Sequence, residues 1–503
     1  MPALYDLIII GGGMTGLSAG ISWALNRDTA RHPVLLLEMQ PHTGGYATTY
    51  RRKEWLIDTC QMFPDISDIL RYFSIDLPAQ RFDDPVLRLF IADTAAGRVT
   101  ATALPAGEDR MCGVFAGIDP DGGETVTRFF NRSVRMARAL LDAKLRPGPL
   151  DVISMLLTKF PIVSAAGKTF DRYLDKTGIR SSLLRDTLSL FSEMAGLPGR
   201  DIAALAPVSV MNALLKGGFR PEGGFGRLPE KLTGRFTALG GEVRTRSEVS
   251  AVLHAHGHVT GVRLTDGATI GCGQVISTVD AQVLAEKLVG IETLNSFDRR
   301  YAAKVQRSAM SPSTFTANLC LDGPFAVKDH RLDAGYSVLS TGGTAFTNLF
   351  DACRRGGDGM TAQRFHIGLS CACPAGPDRP VLTLATFPVA AQPWISLRTS
   401  DREGYNRAKQ ARADMMIDIV QRYLVPGLRD RVRHIDIAIP APPAFCIASL
   451  RPARSTARPA DSPPAFSASP PRVCAAVVPP GTTAISFDGG ESPFGLLARI
   501  RNR

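Results

Sequence analysis

The chain has 503 residues, of which 45% are hydrophobic and 21% charged, with 58 Lys+Arg against 47 Asp+Glu and a net charge of +11. At roughly 150 residues per domain this length predicts two to four structural units, and the ordinary composition excludes collagen, coiled coil and disorder for the bulk of the chain. No apolar run reaches the ~18 residues of a membrane-spanning helix, and Lys and Arg are dispersed among acids with few aromatics, which argues against a nucleic-acid partner. Nine scattered cysteines, an odd number, fit a reducing compartment rather than a disulfide scaffold.

The N-terminal Met1-Pro2-Ala3-Leu4-Tyr5-Asp6 has no basic n-region, so no signal peptide is expected and the expected location is cytoplasmic. Residues 4–10 form a short apolar, β-branched run, the pattern of a strand buried on both faces. Gly11-Gly12-Gly13-Met14-Thr15-Gly16 follows, then helical spacing through Leu17, Ile21, Ala24 and Leu25 to Asn26, and a second buried strand from Pro33 to Glu38. Residues from about 125 to 215 read as mostly helical. Pro221-Glu222-Gly223-Gly224-Phe225-Gly226 leads into a helix from Leu228 to Leu239, and Gly240-Gly241 breaks it before a strand from Glu242 to Leu253. Val259–Leu264 and Ala268–Ile276, joined through Asp266-Gly267, read as a hairpin. Residues 310–390 alternate like strands, and Tyr405 to Leu424 reads as a helix. Residues 440–503 hold 12 of the 35 prolines, 12 Ala, 7 Ser, 7 Arg and no Lys, the composition of a low-complexity tail.

Gly11, Gly13 and Gly16 form G-x-G-x-x-G between a predicted strand and a predicted helix. Gly11 permits the tight turn, Gly13 lets backbone approach a pyrophosphate, and Gly16 lets the helix lie close to the sheet. The helix N-terminus, at Met14 and Thr15, offers amide N–H groups and a positive dipole end to phosphates. Glu38 closes the second strand 22 residues after Gly16, where a carboxylate accepts from ribose hydroxyls. Met39 follows it, so no Arg or Lys marks a 2′-phosphate. A second glycine pair in Gly44-Gly45-Tyr46-Ala47 would bring more backbone to the same ligand.

This combination resembles the FAD-dependent amine oxidase and carotenoid desaturase superfamily, in which the acid of the second strand is followed by a Gly-Gly segment lining FAD. The block Pro221 to Leu228, with Gly240-Gly241, Val249, Gly261-Val262-Arg263-Leu264 and Val275-Ile276-Ser277-Thr278, is similar to the middle FAD block of the phytoene desaturase and retinol saturase group. The resemblance implies FAD as cofactor, with Gly11, Gly13, Met14, Thr15, Gly16, Glu38, Met39, Gly44, Gly45, Tyr46 and Ala47 around it. It further implies that the backbone of Val249 lies by the adenine and that the segment ending near Thr278 passes the pyrophosphate. The fold it implies is α/β, a Rossmann-like FAD-binding domain of the glutathione-reductase type with an interleaved α+β substrate domain. The segments expected are 1–75 and 220–290 for FAD, 76–219 and 291–440 for substrate, and 441–503 as an atypical tail.

Two departures stand out. Tyr46 occupies a position where much of the superfamily has Arg, and Ile57-Asp58-Thr59-Cys60-Gln61 replaces Phe-Asp-x-Gly-Pro. The family's C-terminal glycine-rich flavin segment, expected after Pro440, has no counterpart in the tail, which leads to the expectation of a frame-shift or truncation there. The resemblance implies an oxidoreductase acting on C–C bonds of a hydrophobic, isoprenoid-like molecule, with oxygen or a quinone as electron acceptor. An amine oxidase, a non-catalytic prenyl- or lipid-binding protein like the GDP-dissociation inhibitors, and a defunct enzyme with a frame-shifted C-terminus stay open as alternatives. No catalytic residue emerges beyond Asp58 and Gln61 as candidates for polar positioning near the flavin. The stretch from Ser133 to Leu174 mixes apolar and basic residues, as a region in peripheral contact with a membrane would. His254-Ala255-His256-Gly257-His258 reads as a polar turn, and no metal site is expected. Cys371-Ala372-Cys373 reads as small strand residues that do not pair easily, with a redox role as the alternative.

Overall fold

The computed structural model describes residues 5–141, 167–308, 312–342 and 344–438. The tail after 440 and the central part of the stretch from Ser133 to Leu174 lie outside the described residues.

The chain opens with strand β1 (Tyr5–Ile10), helix α1 (Met14–Asn26) and strand β2 (Val34–Leu37). β1 is flanked by β2 and by Thr269–Ser277, parallel to both, with Ile8 opposite Leu35 and Val275. The β-branched run is buried on both faces of this six-stranded sheet, which explains its lack of alternation. Leu7 and Ile9 pack with Leu17, Ile21 and Phe236 on one side, and Ile8 and Ile10 pack with Leu35, Val262 and Leu284 on the other. The helix Arg227–Ala238 covers the same face as α1, and Gly20 lets Phe236 approach it, since a Cβ there would come within 2.9 Å of that ring.

The strand expected over Glu242–Leu253 is two strands in different places. Glu242–Arg244 pairs with β2 at one sheet edge, whereas Val249–Ala255 pairs with His258–Leu264 at the other. The chain turns between them at Arg246, which has φ 52°. The amides of Arg246 and Ser247 donate to the carbonyls of Gln40 and Glu38. His254 and His258 sit in the two strands on either side of the turn at His256-Gly257, with the His254 ring against Phe297, and no cluster of His, Cys, Asp or Glu able to hold a metal occurs among the described residues.

A seven-stranded sheet takes five strands from the second half of the chain and two from the first. Its order is Val432–Ala438, Ser313–Leu321, Val381–Val389, His366–Ala372, Tyr336–Ser340, Leu87–Asp93 and Arg98–Leu104. All its pairs are antiparallel except Tyr336–Ser340 with Leu87–Asp93. One face packs on the long helix Arg402–Tyr423 through Met416, Ile417 and Val420. On the other, Leu87, Leu89 and Val338 meet a helical layer of Glu108–Ile118, Gly123–Leu141, Phe170–Thr177, Ser182–Met194 and Leu205–Leu214. The helix Thr344–Arg354 interrupts the region 310–390 read from sequence as strands, and a further helix, Ala391–Ser400, follows it.

Two small sheets join these layers. Strands β3 (Thr49–Arg52) and β4 (Trp55–Asp58) form a hairpin whose Trp55 and Ile57 pack on Cys320 and Val381 of the large sheet. Phe63–Pro64, Gly218–Pro221 and Ala79–Phe82 form the other, so the boundary expected at 219/220 falls within a strand. Among the described residues, no helix is long and apolar enough to cross a membrane.

Candidate cofactor site

The turn from β1 into α1 is shaped by close backbone approach. Gly11 has φ 103°, and a Cβ there would stand 2.5 Å from Thr278 Oγ1; a Cβ on Gly16 would stand 2.0 Å from the Gly11 carbonyl oxygen. Gly16 is therefore required by the contact between helix and turn, and Gly11 by its left-handed backbone. Gly13 differs, because a Cβ on it meets nothing closer than Gly45 Cα at 4.0 Å. Gly13 caps α1 with no side-chain hydrogen bond to the first turn. The amides at Met14, Thr15 and Gly16 begin the helix beside this open space and carry its positive dipole end.

The second glycine pair closes onto the first. Gly44 donates its amide to the carbonyl of Gly12 at 2.9 Å, and Gly13 and Gly44 form an isolated parallel bridge. Gly44 and Gly45 have φ 126° and 58°, and Ala47, which is buried, donates back to the Gly44 carbonyl. Glu38 is buried, and its carboxylate accepts from the amides of Gly12 at 2.6 Å and Gln40 at 2.8 Å. Two amides hold the carboxylate beside the turn and leave lone pairs for hydroxyl donors.

The remaining expected residues fall as follows. Thr278 donates from Oγ1 toward the carbonyls of Ile10 and Gly11, at 3.1 and 3.2 Å, so it packs directly on the glycine turn. Val249 follows the segment tied to the Glu38 carbonyl, with its side chain buried near Leu35 and Leu37. Met39 and Tyr46 are exposed, at 38% and 86%. The backbone carbonyl of Tyr46 accepts from Thr59 Oγ1 and Cys60 Sγ, which ties the second glycine pair to the segment after β4. Burial pushes the Cys60 thiol up to about 11.

Asp58 lies where that segment meets the helix Arg227–Ala238. Its Oδ1 accepts from Thr49 Oγ1 at 2.5 Å and from the Phe225 amide at 2.9 Å, while Oδ2 is buried with no hydrogen-bond partner. Burial raises the Asp58 carboxyl, against the opposing pull of those two donors and the Arg220 charge. Gln61 contributes its backbone carbonyl, which accepts from both Nε and Nη2 of Arg220.

Sequence reasoning missed Arg220. It is buried, its other donors go to the carbonyls of Cys371 and Gly335 and to Ser370 Oγ, and its guanidinium lies 4.9 Å over the Phe82 ring. Within Phe219-Arg220-Pro221 nothing local distinguishes it from a surface arginine. A second buried pair, His366 Nε2 with Glu193 at 2.9 Å, joins the large sheet to the helix Ser182–Met194, with Phe346 against the imidazole.

An open glycine cradle at an uncapped helix N-terminus, a buried carboxylate at the end of the second strand and an orphaned buried oxygen on Asp58 fit a flavin dinucleotide. The fold and this site define a dinucleotide-dependent flavoprotein whose cofactor turn opens the six-stranded sheet. The flavin-containing amine oxidoreductase family model matches residues 14–360, and the chain belongs to that family. Its cofactor is FAD. The chain is 24% identical over 453 residues to a lycopene-forming phytoene desaturase of Pseudescherichia vulneris, covering 86% of this chain and 85% of that one. Among solved structures it is similar to putrescine oxidase bound to putrescine, at 15% identity and TM-score 0.57, covering 87% of this chain and 85% of the other. It is also similar to an oxidoreductase from Methanosarcina mazei, at 16% identity and TM-score 0.54, covering 86% and 87% of the two chains.

Proposed function

We propose that this FAD-dependent oxidoreductase acts on carbon–carbon bonds of a hydrophobic, isoprenoid-like substrate. The observation that carries this reading is the similarity to phytoene desaturase along 86% of the chain. The packing of the substrate layer supports it. Phe346 stacks on Phe387 at 6.0 Å and touches Phe350, so aromatic rings cluster beside the His366–Glu193 pair where the sheet meets the helical layer.

When bound, FAD supplies hydride transfer, as acceptor or donor. The amides of Met14, Thr15 and Gly16 would receive its pyrophosphate over Gly11 and Gly13, and Glu38 beside Met39 would accept from the ribose hydroxyls. Gly44, Gly45, Tyr46 and Ala47 would carry the chain along the cofactor, with Val249 and Thr278 on its other flank. Asp58 and Gln61, fixed by Thr49, Phe225 and Arg220, would present polar groups at the end of that path. Oxygen or a quinone would take the electrons, and peripheral contact with a lipid surface would deliver the substrate.

The test is anaerobic titration of the FAD-loaded protein with phytoene in detergent micelles and, separately, with putrescine. Loss of the oxidised flavin absorbance together with new polyene bands is the expected result with phytoene. Bleaching by putrescine alone would overturn the proposal in favour of amine oxidation.

A further inference from the structure

We propose that the substrate is an isoprenoid with a terminal hydroxyl, held by His366 and Glu193 at one end of a floor laid across the seven-stranded sheet. This rests on the isoprenoid reading above and narrows it to a molecule with one polar end. The strand registers place the floor. Ser340 pairs with His366 and Val338 with Gly368, Gly368 pairs in turn with Ala385, and Ala385 with Thr316. Residues paired in this way share a face of the sheet. Val338 packs against the helical layer, so His366, Gly368, Ala385 and Thr316 face that layer too. The opposite face, with Phe315, Ala317, Leu382 and Leu384, is fully buried.

The helical layer does not seal this face. Thr316, Ala385 and Phe387 are only half-buried although their strands lie inside the sheet, whereas their neighbours Phe315, Leu384 and Thr386 on the other face are closed off. Gly368 adds no side chain to the floor, and a Cβ there would collide with the Tyr336 hydroxyl, which lies over it. Further along the same strand Ser370 accepts from Arg220, which also binds the carbonyl of Gln61. His366 is four residues from Ser370, about 13 Å along an extended strand. One end of the floor is thus the Arg220 anchor beside the cofactor path, and the other is the His366 imidazole, with the Phe346 ring against it.

The polar pair at that end is incomplete. His366 Nε2 stands 2.9 Å from Glu193 Oε2, out of line for a hydrogen bond, and each side chain is only 9% exposed. Glu193 Oε1 accepts from Ser189 Oγ at 3.1 Å, but Glu193 Oε2 and His366 Nδ1 are buried without hydrogen-bond partners. Buried polar atoms of this kind are costly unless something completes them. With a carboxylate beside Nε2 the ring proton belongs on Nε2, which leaves Nδ1 as an acceptor in need of a donor. A hydroxyl supplies that donor and brings no charge, whereas a carboxylate would be repelled by Glu193. An apolar chain ending in one hydroxyl therefore matches a floor of small and aromatic residues that ends in one polar pair.

The test is anaerobic isothermal titration of the FAD-loaded protein, in detergent micelles, with geranylgeraniol, its methyl ether and the hydrocarbon that has hydrogen in place of the hydroxyl. The alcohol should bind roughly 10-fold more tightly than the other two, because it alone donates to Nδ1. His366→Phe, which keeps a ring against Phe346, should bind all three alike, at the affinity of wild type for the hydrocarbon. The wild-type ranking stands on its own where that variant does not fold. Equal binding of alcohol and hydrocarbon, a methyl ether that matches the alcohol, or an undiminished preference in His366→Phe would overturn the hydroxyl and leave the isoprenoid reading in place. Binding of none of the three to wild type would overturn both. Geranylgeranylamine binding more tightly than the alcohol would overturn the hydroxyl in favour of an amine.

Discussion

Nε and Nη2 of Arg220 both donate to the backbone carbonyl of Gln61, at 3.0 and 2.9 Å, and the rest of the guanidinium binds two further carbonyls and a hydroxyl. One side chain thereby ties the segment after β4 to two strands of the large sheet. Burial pulls the Arg220 guanidinium below its usual value, yet each of its three nitrogens donates to these fixed acceptors. Arg220→Met would strip the donors from several buried acceptors at once, and breaking such a network costs about 3–5 kcal/mol. Arg220→Lys keeps the charge with fewer donors and no planar fork, so an intermediate loss is expected. Urea unfolding of the three proteins checks this; a Met variant within about 1 kcal/mol of wild type would refute the structural role.

Gly13 and Gly16 belong to one fingerprint but should fail differently. Gly13 has φ −71°, a backbone any residue adopts, and open space where its Cβ would be. Gly13→Val should leave the melting temperature of the FAD-free protein nearly unchanged while removing bound flavin, because the side chain fills the place of the pyrophosphate. Gly16→Ala would drive a Cβ to 2.0 Å from the Gly11 carbonyl, so it should lower both flavin content and stability. Flavin absorbance per chain and calorimetry of the FAD-free protein separate the two. Equal flavin content in Gly13→Val and wild type would move the cofactor away from this turn.

The β1–α1–β2 unit was legible because local signals agree there: a β-branched run, a glycine turn, helical spacing and a second apolar run are all consecutive. The strand read over Glu242–Leu253 was not, because its break depends on Ser247 and Arg246 bonding to the carbonyls of Glu38 and Gln40. No local pattern announces a partner some two hundred residues away. The helix Ala391–Ser400 was hidden by Pro393 in its first turn and by the strand-like stretch before it. Glu38 could be found by its spacing from Gly16. Arg220 could not, since its acceptors are chiefly main-chain carbonyls from Gln61, Gly335 and Cys371, and a carbonyl leaves no residue type to recognise.

Glu38 is held by the amides of Gly12 and Gln40, and its charge is what makes it a strong acceptor for ribose hydroxyls. Glu38→Gln replaces one carboxylate oxygen by an amide nitrogen, which cannot accept from either amide. A charged hydrogen bond contributes about 1.5–3 kcal/mol, so FAD binding should become roughly 10- to 100-fold weaker. Fluorescence titration of the FAD-free variant measures this directly. An unchanged dissociation constant would separate Glu38 from the cofactor and leave it a purely structural brace of the turn.

Asp58 gives the pH dependence its sign. Its carboxyl is raised above the ordinary 3.8 by burial, so the folded chain holds a proton more tightly than the unfolded chain. Between 3.8 and the raised folded value the folded state binds more protons, and stability therefore falls as pH rises through that window. Below 3.8 the full contribution is present, because the acid is neutral in both states. Asp58→Asn removes the ionisation while keeping an oxygen for Thr49 and the Phe225 amide, and so it should flatten this component of the profile. Urea midpoints for both proteins, from about pH 4 to about pH 7, give the comparison. The ratio of variant to wild-type stability should rise with pH; a ratio independent of pH would mean that Asp58 ionises as freely in the folded chain as in the unfolded one, and that its buried Oδ2 finds solvent.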